Sequence, residues 1–442
     1  MIRPDRFARI ALLTALPAAA LLACATPAQA ARWCGDRCDQ VVIDWNAAAH
    51  QVITAADGYT DPMAASRALA MMHLAMHDAV NAVQPRYDTY AVKSATAASP
   101  APKGRRPADD EGTAAVAAVE AAHDVLLALY PKQAAMLQSL RGATLHDAGS
   151  GAAVTQGRQV GTQAAAAVMN RRSNDGSQAK ESYAPGTRAG EYRYTPGFDF
   201  LAAPHWRQVK TFALTAASQF RVAPPPKLDS AEYTAAFEEV RLSGSQQPNA
   251  RRSADETQYA AFWYEFSDAG WNRIARTVAR EREQNLWDRA RTFALLNAVM
   301  ADAYIAGWDS KMHYNFWRPV TAIRLAASDG NAATQPDAGW TPLLPTPPVQ
   351  DHPSTHSALG AAAAEALAEG FGRDRIGFEF ASPTALPGHA TRSFASFSDA
   401  AKENADSRVK AGLHFRFATV QGLRLGEQIG RFAVQNFLRP LH

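Results

Sequence analysis

The chain has 442 residues, of which 47% are hydrophobic and 20% charged, so it can bury a large core, and its length suggests two or three domains. Lysine and arginine together number 45, against 42 aspartate and glutamate residues. This near-neutral balance argues against charge-driven binding to nucleic acid or to an acidic membrane surface. A function must therefore come from a local site.

The first thirty residues have the pattern of a secretory signal peptide. Arg3, Arg6 and Arg9 precede an apolar run over residues 10–23, and residues 28–30 (AQA) have the small-x-small form that signal peptidase accepts. The run is shorter than the ~20 residues of a membrane span. We therefore expect residues 1–30 to be removed, leaving a periplasmic or secreted protein without a membrane span. A loose resemblance to a lipoprotein cleavage site at Cys24 makes lipid anchoring the less favoured alternative.

The cysteine content agrees with export. Of the three cysteines, Cys24 lies in the leader, which leaves Cys34 and Cys38 as a pair just after the predicted cleavage site. In an oxidising compartment such a pair is expected to form a disulfide. Metal binding is the alternative, but no histidine or further cysteine stands beside the pair.

After the leader, apolar residues recur at spacings of three and four, which predicts amphipathic helices, and strand-type alternation is scarce. The sequence therefore predicts an all-α protein built as a pair of helical bundles. The predicted helical segments are residues 64–83, 113–130, 134–145, 152–169, 231–242, 271–280, 285–309, 357–371 and 412–438.

Proline- and glycine-rich breaks suggest the domain organisation. Residues 99–112 have the composition of an exposed loop, residues 172–204 form a long polar stretch, and residues 341–348 (TPLLPTPP) form a rigid extended segment. A stretch as long as 172–204 is typical of a functional or interdomain loop. We therefore expect an N-terminal helical region at 31–190 and a C-terminal catalytic region at 191–442.

The first motif, KMHYNFWRP, places Lys311 and Arg318 seven residues apart at the end of a helical pattern. At about 100° per residue, seven steps return almost to the starting direction, so both cations are expected on one helix face. Pro319 cannot continue the helical hydrogen bonds, so Arg318 is expected near a kink or a helix end. Alone, two basic residues on one helix are more typical of a solvated surface.

The second motif, DHPSTHSALG at residues 351–360, precedes a strongly helix-forming segment. Ser354 is well placed as an N-cap, and Thr355 and His356 would then lie in the first helical turn, where free backbone N–H groups can bind an anion. His356 adds a group that can exchange a proton near neutral pH. The alternative is an ordinary capped helix with an incidental histidine.

The third motif, SRVKAGLHFRF, contains Arg408 and His414. Six residues separate them, so they do not share one helix face; Arg408 is expected to lead into the final helix and His414 to lie in its first turns. A guanidinium binds tetrahedral oxyanions bidentately. The arrangement can therefore bring the Arg408 guanidinium and the His414 imidazole to one small anion. The alternative is a solvated, basic helix start.

In this order, Lys-x6-Arg-Pro, Pro-Ser-x-His and Ser-Arg-x5-His resemble the signature shared by vanadium-dependent haloperoxidases and type 2 phosphatidic acid phosphatases. The motifs span residues 311–414. The surrounding segment GWDSKMHYNFWRPVTAIR, together with RALAMMHLAMHDAVNAV near residue 67, is similar to the secreted bacterial haloperoxidase branch. The resemblance implies a pair of helical bundles around a site for vanadate, in which phosphate can also bind.

The resemblance also implies roles for individual residues. His414 would bind vanadium, or act as the nucleophile of a phosphatase, and His356 would be the general acid or base. Lys311 would be both an anion ligand and a catalytic residue. Hydrogen peroxide, a halide and a small organic acceptor would be the partners. The donors to the anion's oxygens would be Lys311, Arg318, Arg408, the Ser354 hydroxyl and the Thr355 backbone N–H.

Two positions depart from the family pattern. The usual glycine before the active histidine is Thr355, which loses the backbone freedom of glycine and room for an oxyanion. The carboxylate often found four residues after the final histidine is replaced by Ala418, so His414 is expected to lack that orienting partner. This loss would harm a phosphatase nucleophile more than a vanadate ligand, which favours the haloperoxidase.

Other candidate residues are expected to be structural or peripheral. His73 and His77 lie at positions i and i+4, but without a third ligand we expect a packing role rather than a metal site. The aromatic cluster 262–264 is predicted to be core rather than a substrate platform. Val349 stands where haloperoxidases often vary with halide preference. Further residues that could line the pocket or orient its basic groups are Asp309, His313, His352 and His389.

The leading hypothesis is an exported vanadate-dependent haloperoxidase that oxidises a halide with hydrogen peroxide to a hypohalous species. The alternative is a periplasmic acid phosphatase that forms a phosphohistidine at His414. A third possibility is a helical binding protein with an anion pocket and no catalysis.

Overall fold

A computed structural model describes residues 33–35, 38–92, 107–247 and 250–441. Within these ranges the chain forms thirteen α-helices and one two-stranded antiparallel sheet, which confirms the predicted all-α class. The predicted leader, with its cleavage site and Cys24, lies outside the described residues. Cys34 and Cys38 form the expected disulfide.

The sheet is a short hairpin between two helices of the C-terminal half. Its strands are β1 (Phe378–Ala381) and β2 (Thr391–Phe394), with Phe378 paired to Phe394. The helices are α1 (Gln40–Ala55), α2 (Pro62–Val83), α3 (Pro107–Leu129), α4 (Ala134–Thr144), α5 (Ala152–Arg172), α6 (Ala231–Ser243), α7 (Ala254–Phe262), α8 (Ser267–Arg280), α9 (Leu286–Tyr314), α10 (Pro319–Arg324), α11 (Thr355–Gly370), α12 (Phe397–Lys410) and α13 (Arg416–Asn436).

The N-terminal bundle consists of α1, α2, α3 and α5, and α3 and α5 pack most intimately. Glycine makes this close approach possible. A Cβ atom on Gly161 of α5 would lie 2.4 Å from the carbonyl oxygen of Ala117 on α3, closer than any real contact allows. The small residue therefore lets the two helix backbones touch.

The C-terminal bundle, made of α9, α11, α12 and α13, uses the same device. A Cβ atom on Gly426 of α13 would lie 2.1 Å from the carbonyl oxygen of Ala358 on α11. One turn earlier, a Cβ atom on Gly422 would lie 2.3 Å from the carbonyl oxygen of Ser354. These contacts hold the N-terminal end of α11, which carries the second motif, against α13.

Each bundle also fixes a loop with one buried aspartate. Asp78 on α2 accepts hydrogen bonds from the backbone N–H groups of residues 90–92 at 2.6–3.0 Å. Asp302 on α9 accepts three such bonds from residues 212–214 at 2.6–2.9 Å. Neither role follows from the spacing of residues in the sequence. Asp302 thereby ties the segment between α5 and α6 to the C-terminal bundle.

The two bundles share one continuous hydrophobic core, because α2 packs directly against α9. The predicted boundary between residues 190 and 191 stays a prediction. One window of the described chain, residues 110–129, is long and apolar enough to cross a membrane, but 78% of it is buried. Such burial is typical of a core helix of a folded domain.

The structure contains helices that the periodicity did not predict, namely α1, α7, α10 and α12. Helix α12 (FSDAAKENADSRVK) is mostly polar, and besides Phe397, Val409 and three alanines it buries the polar residues Asn404, Ser407 and Arg408. Tertiary packing rather than pattern therefore decides its formation. The last helix begins at Arg416 and not near residue 412. Gly412 has φ +79°, a conformation outside the right-handed helix that glycine adopts readily.

Candidate active site

The first motif lies across a break between two helices. Lys311 is in the last turn of α9, which ends at Tyr314, and Asn315 follows in a left-handed conformation with φ 48°. Arg318 is the N-cap of α10, with Pro319 as its first residue. The prediction that both cations project from one helix face is therefore wrong, because the helix stops between them. The prediction that Arg318 lies at a helix end is confirmed.

Both cations of this motif bind the extended segment that precedes α11. The Nζ of Lys311 donates to the carbonyl oxygens of Gln350 at 2.5 Å and Asp351 at 3.2 Å. The Nε of Arg318 donates to the carbonyl oxygen of Val349 at 2.7 Å. Each side chain is only 1% exposed, and burial lowers the pKa of both, in Lys311 well below its usual range. Three successive carbonyls thus fix two buried cations.

The second motif caps α11 as predicted. Ser354 is the N-cap, and its hydroxyl oxygen accepts bonds from the Ser357 backbone N–H at 3.4 Å and the Ser357 hydroxyl at 2.9 Å. Since the Ser354 oxygen accepts both bonds, its own proton is free to be donated elsewhere. The motif therefore places a hydroxyl donor at a helix N-terminus.

Thr355 fits its position without strain. It is the first residue of α11 and is not among the residues with positive φ, so the backbone freedom of glycine is not needed here. Its side chain lies beside Gly307 of α9, where an added Cβ atom would come within 3.4 Å of the Thr355 methyl group. The Thr355 hydroxyl oxygen is buried and has no protein partner in the described part of the chain.

His356 is held through one ring nitrogen. Its Nε2 lies 3.1 Å from the carbonyl oxygen of Glu265, and because a carbonyl only accepts, Nε2 carries the proton and Nδ1 of the neutral ring is the free acceptor. Burial, followed by the charge of Arg408, lowers the pKa of His356 well below its usual value. The ring is therefore neutral near pH 7.

The third motif connects α12 to α13. Arg408 lies in the last turn of α12, and His414 lies in the loop two residues before α13. The prediction that His414 is in the first turns of the final helix is therefore wrong. Arg408 donates to the carbonyl oxygen of Trp263 at 3.2 Å and stands 5.7 Å from the centre of the Tyr264 ring. Its Nε has no partner among the described residues.

His414 lies between a cation and a carboxylate. Its Nε2 is 2.9 Å from Nη1 of Arg318, and its Nδ1 is 2.9 Å from Oδ1 of Asp351. Arginine can only donate, so Nε2 is unprotonated and the proton of the neutral ring is on Nδ1, beside Asp351. The Nδ1 contact has the length of a hydrogen bond but not its ideal direction. Burial, followed by the charges of Arg318 and Lys311, lowers the pKa of His414 well below its usual value.

Asp351 corrects the expectation that His414 has no orienting carboxylate. Ala418 does remove the carboxylate four residues after the histidine, but Asp351 supplies one from the segment before α11. Asp351 is fully buried, and this burial raises its pKa to about 7, against the charges of Arg318 and Lys311. The only sequence signal was its place as the first residue of the second motif, which did not indicate a contact with His414.

The site has an excess of positive charge. Lys311, Arg318 and Arg408 are at most 2% exposed, and Asp351 is the one carboxylate whose charge acts on both Lys311 and Arg318 within the described chain. Buried cations without enough counter-charge are costly unless an anion joins them. The unpartnered Nε of Arg408 adds a free donor. The residues present therefore fit a small tetrahedral oxyanion such as vanadate or phosphate.

The other pocket candidates make their hydrogen bonds and ring contacts away from the three cations, although the charge of Lys311 also lowers the pKa of the buried His352. Asp309 pairs with Arg221 at 2.7 Å, near the surface, and His352 contacts the carbonyl oxygen of Ala223 at 2.8 Å. His313 packs edge-on against Tyr314, and His389 lies 3.3 Å from Gln258. None of these contacts reaches the three cations.

The two histidines of α2 have separate structural partners, as expected. Nε2 of His73 is 2.7 Å from the side-chain amide of Asn46, and Nε2 of His77 is 3.0 Å from the carbonyl oxygen of Asp88. Both rings are fully buried. Their partners lie on different elements, so each ring takes part in helix packing through its own hydrogen bond.

The aromatic cluster 262–264 is divided between core and site. Phe262 and Trp263 are buried, as predicted. Tyr264 is partly exposed, lies beside Arg408 and donates to the carbonyl oxygen of Pro345 at 2.9 Å. The last residue of the cluster therefore belongs to the wall of the site.

Family models match both bundles of the chain. The model of the vanadium chloroperoxidase N-terminal domain matches residues 38–197, and that of its second helical-bundle domain matches residues 291–442. A curated relative, vanadium chloroperoxidase from Curvularia inaequalis, is 26% identical over 382 residues, which cover 69% of this chain and 60% of the relative. The chain thus spans less than two thirds of that relative's length.

Solved structures show the same architecture. A bacterial vanadium-dependent iodoperoxidase is 27% identical, with a TM-score of 0.74 over 91% of this chain and 97% of its own. The apo form of a bacterial vanadium-dependent chloroperoxidase is 18% identical, with a TM-score of 0.67 over 85% of this chain and 93% of its own, and it supports the fold alone. The two family models together match more than half of the chain, in the order of its two bundles. The chain belongs to the vanadium-dependent haloperoxidase family.

Proposed function

We propose that the protein is a vanadate-dependent haloperoxidase, an oxidoreductase that uses hydrogen peroxide to convert a halide into a hypohalous species. The observation that carries the proposal is the set of three buried cations, Lys311, Arg318 and Arg408, near the neutral His414. This set suits a small oxyanion, and membership of the family supports vanadate as that anion. Bound vanadate would supply a Lewis-acid centre that activates peroxide without a change in the oxidation state of the metal.

The residues of the site divide the work of holding the anion. The three cations would neutralise its oxygens, with the free proton of the Ser354 hydroxyl and the Thr355 backbone N–H as further donors. His414 would be the protein ligand to vanadium through Nε2, because its proton is kept on Nδ1 beside Asp351. The Nη1 group of Arg318, which now donates to Nε2 of His414, would then donate to the anion instead.

His356 is the proton acceptor in this proposal. Its Nε2 proton is held by the carbonyl oxygen of Glu265, so Nδ1 is the atom that can take the proton released by hydrogen peroxide. Burial and the charge of Arg408 lower the pKa of His356, so the ring is unprotonated near neutral pH and Nδ1 is an unoccupied acceptor.

One observation favours a second function. A phosphatase that uses His414 as nucleophile needs a carboxylate behind the ring, and Asp351 lies 2.9 Å from Nδ1. The argument from Ala418 against a phosphatase therefore loses its force. Haloperoxidase remains the preferred function because both bundles match the haloperoxidase family.

The test assays the purified protein with and without added vanadate. Peroxide is supplied with chloride, bromide or iodide in one series, and a chromogenic phosphate ester is supplied in the other. Vanadate-dependent halide oxidation supports the proposal, whereas ester hydrolysis without halide oxidation would establish the phosphatase. No activity in either series would favour a binding protein.

A matched pair of variants ties the activity to the site. His414→Ala should abolish whichever activity is present, because the ring contacts the anion in both functions. His146→Ala is the control, since the His146 side chain is 84% exposed and lies far from the three motifs in sequence. Equal activity in both variants would contradict the assignment.

We also infer that the protein is exported. The signal-peptide pattern of residues 1–30 supports this, and so does the Cys34–Cys38 disulfide, since such bonds are typical of oxidising compartments. Fractionation of the native host and mass analysis of the mature N-terminus test the inference. A mature chain that begins at Ala31 is expected. A lipid-modified Cys24 would contradict this cleavage site, and an uncleaved chain in the cytoplasm would contradict export.

A further inference from the structure

A cavity of about 860 Å³ lies beside the anion site. Val349 lines it, and the carbonyl oxygen of the same residue accepts the 2.7 Å hydrogen bond from Nε of Arg318. Trp308 also lines it, one helical turn before Lys311 on α9. The cavity therefore shares part of its wall with Val349, the residue whose carbonyl oxygen fixes Arg318, and lies next to the helix that carries Lys311.

The mouth of the cavity is aromatic. Phe198, Phe200 and Phe266 all line it and are 38%, 50% and 40% exposed, and they are three of the five exposed large hydrophobic side chains in the described chain. The rings of Phe198 and Phe200 meet edge to face at 5.6 Å, and Phe266 stacks on Tyr59 at 5.2 Å. A group of exposed aromatic rings around one opening is typical of a binding site for an apolar ligand.

The charges of the lining select among such ligands. Asp57 and Asp61 are the charged residues of the cavity, and no lysine, arginine or histidine lines it in the part of the chain that the structure describes. Asp61 also caps α2 by accepting a hydrogen bond from the backbone N–H of Ala64, whereas the Asp57 carboxylate accepts no hydrogen bond from the described residues. A negative mouth repels a carboxylate-bearing ligand and attracts an amine.

We propose that this cavity binds the organic acceptor of halogen transfer, and that this acceptor is an aromatic compound that is neutral or carries an amine. The proposal rests on the proposed haloperoxidase function, which supplies the hypohalous acid. In the transfer, a ring carbon forms the bond to halogen and the O–X bond breaks. The displaced ring proton leaves with the hydroxide as water, so atoms and charge balance.

Binding of three matched phenols tests the charge preference without any turnover. Tyramine, 4-ethylphenol and 4-hydroxyphenylacetate share the phenol ring and carry a positive, zero and negative charge. Calorimetry or ligand-observed NMR, without peroxide and halide, should show that the first two bind and that the carboxylate binds at least tenfold more weakly. Equal affinity for all three, or no binding by any of them, overturns the proposal.

Variants locate the binding in this cavity. Phe200→Ala and Phe266→Ala should weaken 4-ethylphenol binding several-fold and raise its KM in halogenation. Leu386→Ala is the control, because Leu386 is an equally exposed hydrophobic residue outside the cavity. Asp57→Asn should reduce the ratio of the affinity for tyramine to the affinity for 4-hydroxyphenylacetate, because it removes a negative charge. The variant should fold normally, since asparagine tolerates the left-handed φ of 51° at this position. Affinities unchanged in all three cavity variants contradict the proposal.

The design separates this proposal from the proposed function. Triiodide formation from iodide and peroxide, without any phenol, measures halide oxidation alone. If triiodide does not form, the proposed haloperoxidase function is contradicted, regardless of how the phenols bind. If it forms and a bound phenol is not halogenated faster than free hypohalite halogenates it, the cavity is not the acceptor site.

Discussion

The ring of His414 shows how single contacts set the chemistry of the site. Arg318 can only donate a hydrogen bond, so its 2.9 Å contact assigns the lone pair to Nε2 and leaves the proton on Nδ1. The carboxylate of Asp351 lies 2.9 Å from this Nδ1 atom. A carboxylate that holds the ring in this way is a positioning residue, and such partners typically change metal affinity or activity by about 10–100-fold when they are removed.

Asp351→Ala is therefore predicted to separate the affinities for vanadate and phosphate. Vanadate needs the free Nε2, so its Kd should rise about 10–100-fold. Phosphate is held by charge, and loss of a negative group should leave its affinity unchanged or tighter. Calorimetric titration of the protein with each anion measures both values.

The conservative variant sharpens this prediction. Asp351→Asn keeps an oxygen that can accept from Nδ1, so its loss of vanadate affinity should be smaller than that of the alanine variant. The ¹⁵N shifts of the His414 ring, measured without any anion, report directly on which nitrogen carries the proton. Parallel losses of vanadate and phosphate affinity would indicate general damage to the pocket instead of a positioning role.

At the scale of elements, the site is assembled from helix ends. Lys311 stands in the last turn of α9, Ser354 caps α11, and Arg408 lies in the last turn of α12. The motifs predicted the cap at Ser354 because N-caps have a local sequence signature. They did not predict the end of α9 at Tyr314 or the loop that holds His414, because these depend on how distant segments pack.

Close helix contact through glycine is predicted to be essential for the C-terminal bundle. Gly426→Ala would place a methyl group 2.1 Å from the carbonyl oxygen of Ala358, and the helices would have to separate. We expect the free energy of unfolding to fall by about 1–3 kcal/mol, as in other overpacked cores. Denaturant titration followed by circular dichroism measures this loss.

Gly142 provides the matched control within a helix. It lies in α4, and an added Cβ atom would have nothing within 4 Å. Gly142→Ala should therefore leave stability unchanged or raise it by up to about 1 kcal/mol, because alanine favours helix over glycine. A similar loss of unfolding free energy in both variants would show that the destabilisation by Gly426→Ala does not come from the contact between α11 and α13.

At the scale of the whole molecule, one core spans both bundles and encloses several carboxyl groups. Asp268, near the start of α8, is fully buried, and the nearby backbone N–H groups of Asp268 itself and Ala269 offset only part of the cost of burying its charge. Burial raises its pKa to about 7. The backbone-bonded Asp78 and Asp302 are also shifted by burial, each to a pKa of about 6.

The raised pKa of Asp268 predicts that its own contribution to stability falls as the pH rises from about 4 to about 7. Unfolded aspartate has a pKa of about 3.9, so in this range the folded protein keeps a proton on Asp268 that the unfolded chain has released. Unfolding then releases a proton, and a higher pH favours it. A shift of about three units corresponds to a loss on the order of 4 kcal/mol across this window.

The variant Asp268→Asn isolates this contribution. Asparagine does not titrate, so the difference in unfolding free energy between wild type and variant should move in favour of the variant as the pH rises from 4 to 7. Thermal or denaturant unfolding at several pH values measures this difference. A difference that does not change with pH would mean that Asp268 is not protonated in the folded state.

The sequence by itself determined the all-α class, the Cys34–Cys38 pair, and the three motifs that supply the cations and both site histidines. These features depend on local periodicity, residue spacing and helix caps, all of which can be recognised within one short segment of the chain. Tertiary structure alone decided that Asp351 replaces the carboxylate lost at Ala418, and that loops far apart in sequence form an aromatic cavity beside Arg318. Both features are contacts between segments that are far apart in the sequence. A local sequence pattern does not show which distant segments meet in the folded protein, so it could not predict these contacts.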